Sequence, residues 1–272
     1  ALPVRRRDSA GSPAQPHAAR RGIDVRFPFR QVIMRVLLVS AAVSLGLSGL
    51  AHASGVFIPI ETSGVQLIKV SSNGQYATGS MFAGTGFRYT VASGLEETLS
   101  NLDVSLGINN FGTVSGAVPQ NGGSANGGRD LGAFLASGDL PTELTSPLQT
   151  NSNGYDISDD GAVVGLSFDD GFVGPAVAFV WTEAEGMVAL PVNRPDNYSR
   201  ANVISADGHT IAGWNDQDDG FRTAVVWKDR VPLDIVDGDA IPVGEADGIS
   251  AHGEFVVGGG YMDAEGNTGS WR

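Results

Sequence analysis

The 272-residue chain has no cysteine, which excludes a disulfide framework, a thiolate zinc site and a cysteine nucleophile. Positive charge is also scarce. Lys and Arg total 17 against 30 Asp and Glu, a net charge of −13, so recognition of nucleic acid through a basic face is disfavoured. No segment carries a sustained 3.6-residue apolar period with caps, and almost no helix is expected. There is no P-loop, no glycine fingerprint in a βαβ setting, no G-x-S-x-G and no H-E-x-x-H. Glycine, by contrast, is abundant at 38 residues, about twice ordinary usage. A hydrophobic content of 42 % belongs to a globular chain rather than a disordered one.

Charge is unevenly spread. Residues 1–53 hold eight arginines and only two acids, Asp8 and Asp24, which leaves 9 basic and 28 acidic residues in 54–272, a net of −19. The join is legible. Met34-Arg35 leads into an apolar run from Val36 to Leu50, followed by Ala51-His52-Ala53. A basic start, an apolar stretch and small residues at −3 and −1 make a secretory signal peptide over 34–53. The run is short for a transmembrane anchor and lacks a basic stop-transfer flank. Residues 1–33, rich in Arg, Ala and Pro, read as a disordered extension upstream of a true start at Met34, with a basic targeting tail as the alternative. The mature chain, 54–272, is expected in the periplasm or outside the cell.

One phrase recurs five times in it: a β-branched residue, small polar residues, Gly, then a short apolar stretch ending in Gly. The copies are Val70 to Gly74 with Gly79, Ile108 to Gly112 with Gly116, Ile157 to Gly161 with Gly165, Ile204 to Gly208 with Gly213, and Ile249 to Gly253 with Gly258. The Ser-x-Asp-Gly piece reads as a hairpin turn whose Gly takes φ > 0. Strands flank it, at Ala201 to Ser205 and His209 to Trp214 in the fourth copy. A third strand follows with a large aromatic, as in Ala178-Phe179-Val180-Trp181 and Ala224-Val225-Val226-Trp227, and then a fourth, as in Met187 to Pro191 and Val231 to Ile235. Four short strands every forty-odd residues are the mark of a β-propeller blade.

The expectation is an all-β fold: one β-propeller of about five four-stranded blades, with repeats over 62–101, 102–149, 150–196, 197–243 and 244–272. The fifth repeat stops in its third strand, so Val56 to Ile60, which resembles Val231 to Ile235, is expected to complete it. A fragment of a longer array is the competing explanation. The recurring Trp and Phe are expected to fill the wedges between blades rather than form a sugar platform.

These phrases resemble the bacterial HAF family of extracellular repeats, which pair an I-S-x-D-G-x-x-V-G turn with an H-A-F-x-W strand. The resemblance covers about 55–272. It is best in Ile157 to Gly165 with Ala178 to Trp181, and weak in the first two copies. The family's His before Ala-Phe is missing throughout, with Val177 in its place in the third copy. The resemblance implies a secreted or surface-exposed protein and no catalytic residues.

Few residues invite chemistry. His209 and His252, the only histidines after residue 53, fall beside the turns and read as exposed turn residues. Ser205 to Thr210 lacks the spacing of an Asp-box. Acidic loops between the second and third strands are the distinctive feature: Asp169 and Asp170, then Asp216, Asp218 and Asp219, then Asp263 and Glu265. Equivalent loops leave a propeller on one face, so these seven carboxylates are expected to form an acidic rim. Hard oxygen ligands on flexible loops suit Ca²⁺, while solvating acid on Gly-rich turns needs no metal. No other cofactor is expected. The function expected is a monomeric, non-enzymatic binding or surface-interaction module for an extracellular ligand, polysaccharide or protein. A carbohydrate-active enzyme, glycosidase or lyase, is the alternative, and a passenger fragment of a larger surface protein a third possibility.

Overall fold

The computed structural model describes residues 65–81, 85–99, 102, 104–119, 131–136, 141–170, 174–236, 242–262 and 268–272. The chain divides into Ala1–Ile58 and Pro59–Arg272, and every described residue belongs to the second unit. The signal peptide, its upstream extension and the expected strand 56–60 lie outside the described residues.

Among the described residues nineteen strands form five antiparallel sheets in a β-propeller arrangement. The first sheet is β1 (Val65–Val70), β2 (Tyr76–Met81), β3 (Thr85–Thr90) and β4 (Leu95–Leu99). The second is β5 (Val104–Ile108), β6 (Val114–Pro119), β7 (Leu131–Ala136) and β8 (Pro141–Glu143). The third is β9 (Asn151–Ile157), β10 (Val163–Phe168), β11 (Val177–Thr182) and β12 (Gly186–Ala189). The fourth is β13 (Ser199–Ile204), β14 (Thr210–Asp216), β15 (Arg222–Lys228) and β16 (Val231–Asp234). The fifth is β17 (Ala246–Ile249), β18 (Val256–Met262) and β19 (Thr268–Trp271). Strands pair in chain order within each sheet. The fifth sheet thus has three strands among the described residues, where four were expected.

The recurring phrase occupies the first hairpin of every sheet. Its turn glycines, Gly74, Gly112, Gly161, Gly208 and Gly253, all have φ between 69° and 87°, and each donates its N–H to the carbonyl three residues back. The glycine that ends the phrase has a different reason. Each first strand carries a β-bulge just before the turn, where the register skips Ile68, Leu106, Tyr155, Asn202 and Asp247. The glycine on the second strand sits opposite. A Cβ at Gly79, Gly165, Gly213 or Gly258 would come within 2.0 Å of a first-strand carbonyl oxygen, so only a residue without one fits.

Adjacent sheets pack face to face through apolar side chains. Ala162, Val164, Ala178 and Val180 of the third sheet meet Ala201, Ile204, Val225 and Trp227 of the fourth. Val203, Ala212 and Ala224 of the fourth meet Ala246, Ile249, Val256 and Trp271 of the fifth. Phe87, Phe179 and Trp227 are wholly buried, as wedge-filling aromatics should be, and Trp227 spends its N–H on the Pro191 carbonyl at 2.6 Å.

Candidate functional site

Three of the five first-hairpin turns share one full hydrogen-bond design. The hydroxyls of Ser71, Ser158 and Ser205 donate to the side chains of Asn73, Asp160 and Asp207, two residues on. The same oxygens accept the N–H of Tyr76, Ala162 and Thr210, each at 3.0 Å. In the second repeat Asn109 replaces Ser and accepts the N–H groups of Phe111 and Thr113. The serine is buried and fully used, which explains its recurrence better than turn propensity alone.

Neighbouring turns are chained to one another. Asn73 donates its N–H to Asn110 Oδ1 at 2.7 Å. Asn110 donates its N–H and Nδ2 to the Asp159 carboxylate at 2.9 and 2.7 Å. Asp159 donates its N–H to the Ala206 carbonyl at 2.8 Å, and His252 Nδ1 lies 3.6 Å from Asp207 Oδ2. This collar surrounds a mouth of about 380 Å³ lined by Asn73, Asn110, Asp159, Asp160, Asp207 and His252. The hydroxyl of Ser205 is the main influence holding the Asp207 carboxyl below the ordinary aspartate range, helped by the His209 N–H.

Next to the mouth, sharing Ser72, Asp159, Ala206 and Ala251 with it, is a funnel of about 260 Å³ lined from all five sheets. The register position directly after the bulge is held by Lys69, Gly107, Asp156, Val203 and Gly248 in the five sheets, and of these Lys69 and Asp156 line the funnel. Lys69 Nζ reaches from the first sheet to Asp156 Oδ2 of the third at 2.8 Å, and that oxygen also accepts the Ile204 N–H of the fourth sheet at 3.0 Å. The Asp156 side chain is 2 % exposed and that of Lys69 29 %. Sequence reasoning passes over both. Aligning the five copies in register would have found them, as a Lys and an Asp in a column otherwise Gly and Val.

A second polar cluster lies where β13 begins and β14 ends, the other end of those strands from the collar. Arg222 stacks over Trp214 with its guanidinium 4.3 Å from the ring centroid, Arg200 lies over Tyr155 at 4.8 Å, and Glu245 pairs with both arginines. Burial pushes the Asp216 carboxyl up, against the charge of Arg222. Burial and the charge of Glu245 push Asp247 up. The buried Trp214 Nε1 and Asp216 Oδ1 have no hydrogen-bond partner among the described residues.

The expected acidic rim has a local use for its carboxylates. Asp169 accepts the N–H and hydroxyl of Thr150, Asp170 accepts Asn151 Nδ2 at 2.8 Å, and Asp218 accepts Asn197 Nδ2 at 3.0 Å. Each ties its loop back to residues at or just before the first strand of the same sheet. Asp219 closes its own turn on the Phe221 N–H, and Asp216 ends β14. Asp263 and Glu265 lie outside the described residues. Among the described residues no group of three or more His, Asp or Glu side chains is arranged to hold a metal ion. His209 and His252 are exposed turn residues, their side chains 73 % and 72 % exposed.

No family model matches the chain, and no curated protein does. Solved structures do. TolB from Acinetobacter baumannii superposes with a TM-score of 0.54 at 13 % identity, covering 74 % of this chain and 50 % of that one. The chain therefore spans about half the length of that protein. A putative TolB from Agrobacterium tumefaciens superposes with a TM-score of 0.51 at 17 % identity, covering 76 % of this chain and 79 % of that one. A puromycin-hydrolyzing peptidase from Mycobacterium tuberculosis gives a TM-score of 0.42 at 15 % identity, covering 62 % and 29 %. The two TolB likenesses bear on the fold: the chain is an all-β protein with a TolB-like propeller arrangement.

Proposed function

We propose that this chain is a secreted, non-enzymatic binding module of the HAF-repeat type, with the collar and funnel as its ligand-receiving surface. One observation carries the reading: turns and inner strands from all five sheets converge on a single polar concavity, in which the side chains are held by hydrogen bonds before any ligand arrives. Preorganised polar groups in a concave site lose little freedom on binding. The finer fold is a five-bladed ring with 56–60 as the fourth strand of the fifth sheet. A glycan and protein array probed with the 54–272 chain tests the function, with hydrolysis assays on every hit. Hits that are lost when Asn110 and Asp159 are both changed to Ala support it. Hits unaffected by the collar would move the binding surface elsewhere.

A second reading, a carbohydrate-active enzyme, draws support from the carboxyls of Asp216 and Asp247, both raised, beside Glu245 and Trp214. Glycoside hydrolysis uses a pair of carboxyl groups. Turnover of an array hit, abolished in Asp247→Asn, would select this reading.

A further inference from the structure

We propose that the funnel is a receptor for a primary ammonium on a slender alkyl stem, and that Lys69 is its built-in occupant, displaced from Asp156 when the ligand enters from the mouth. The inference deepens the binding-module reading and rests on its placement of the site.

The two ends of the Lys69–Asp156 pair are unequal. Asp156 is fixed: it is 2 % exposed, sits directly after the bulge of β9, and its Oδ2 is also held by the Ile204 N–H at 3.0 Å. Lys69 comes to the same oxygen on a four-carbon stem and remains 29 % exposed. Detaching the lysine returns a solvated, flexible side chain to water, which is cheap. Detaching the carboxylate without replacement would leave a buried, uncompensated charge, which is expensive. The site therefore keeps a standing demand for an ammonium at one place, and exchanging one for another meets it without new desolvation of the carboxylate.

The surroundings choose the sign and shape of the ligand. Among the described residues Lys69 is the only lysine or arginine lining the funnel or its mouth, against Asp156, Asp159, Asp160 and Asp207. The residues after 53 carry a net charge of −19, which draws cations toward such a concavity. Beside Asp156 the lining combines Ile108, Ile157, Ile204 and Ile249, which also belong to the apolar cores between sheets, with Ser72, Asn109, Asp159 and Ser250, so every side-chain charge there except that of Lys69 is negative. At about 260 Å³ the funnel holds a side chain or a small amine rather than a folded element. Two sources present this chemistry, a lysine side chain of a partner polypeptide and a free alkylamine.

The test uses the full chain, with n-butylammonium chloride and the peptide acetyl-Gly-Gly-Lys-Gly-Gly-amide as probes and the norleucine peptide as the neutral control. Lys69→Ala empties the ammonium position. Its melting temperature should fall, and n-butylammonium should restore part of the loss where tetramethylammonium or sodium at equal ionic strength does not. By calorimetric titration, Lys69→Ala should bind the lysine peptide or the butylammonium at least tenfold more tightly than the wild type, and the wild type should still bind detectably. The paired variant Lys69→Met with Asp156→Asn, which carries no buried charge, should bind neither. A peptide preferred over butylammonium identifies a polypeptide source, and the reverse a free amine.

Absence of an ammonium-specific rescue overturns the proposal, as does equal affinity in wild type and Lys69→Ala. Rescue of Lys69→Ala with no binding to the wild type also overturns it, because the pair is then a fixed strut between sheets. Any of these results, with array hits still dependent on the collar, leaves the binding-module reading standing.

Discussion

At the scale of single residues, two glycines four positions apart do unrelated work. Gly161 has φ = 87° and open space where a Cβ would go, whereas Gly165 would place a Cβ 1.9 Å from the Asn153 carbonyl oxygen. Gly161→Ala should therefore cost only the left-handed backbone penalty, about 1 kcal/mol. Gly165→Ala must push two paired strands apart and should cost about 3 kcal/mol or more. Chemical denaturation of both variants decides this, and equal losses would refute the division. Asp216 gives a pH signature. Burial raises its carboxyl above the ordinary aspartate value of 3.8, so between that value and the raised one the folded chain binds more protons than the unfolded chain. Stability contributed by this group therefore rises as pH falls through that window. Asp216→Asn should raise the melting temperature at neutral pH and flatten the slope just above pH 3.8. Asp207, whose carboxyl is lowered, has the opposite sign: its contribution is present above the ordinary value and lost as pH falls through the lowered one. Melting curves of Asp216→Asn that parallel the wild type at every pH would remove Asp216 from the account.

At the scale of elements, the repeated unit is a bulged hairpin rather than a plain one. The bulge in each first strand increases its local twist and shifts its register next to the turn. The residue directly after it is the position that supplies Lys69 and Asp156 to the funnel. The fifth sheet differs from the others at its outer side. β19 has no fourth strand beside it among the described residues, and an apolar groove of about 590 Å³ lined by Leu233, Ile235, Val256 and Trp271 adjoins it. In the first four sheets the fourth strand is the chain segment that leads into the next sheet's first strand. The proposed fourth strand of the fifth sheet, 56–60, would follow that rule. Deletion of 55–61 should then leave an uncovered edge and produce aggregation, visible by light scattering. A deletion variant that stays monomeric and unfolds cooperatively would mean that the segment has no such role.

At the scale of the whole molecule, export is the expectation to check first. N-terminal sequencing of the protein exported from a bacterial host should begin at Ser54, and a product that retains Met34 would overturn the signal-peptide reading. Much of the architecture was legible in the sequence because it is local and repeated. The Ser-x-Asp-Gly phrase determines a turn by its own hydrogen bonds, the spacing of its copies determines one sheet per repeat, and the aromatic that recurs in the third strand marks the buried positions of Phe179 and Trp227. Composition was equally direct in excluding cysteine chemistry. The site was not legible, because its parts are far apart in the chain. Lys69 and Asp156 are 87 residues apart, and nothing in either neighbourhood announces the other. The acidic loops stand out because their charges are adjacent in sequence, and the hydrogen bonds of Asp169, Asp170 and Asp218 to Thr150, Asn151 and Asn197 could not be read from that adjacency. Local sequence determined which residues turn, pair and hide. Only the packing of one sheet against the next decided which charges meet, since an ion pair from the first sheet to the third, held also by the fourth, depends on the placement of three sheets at once.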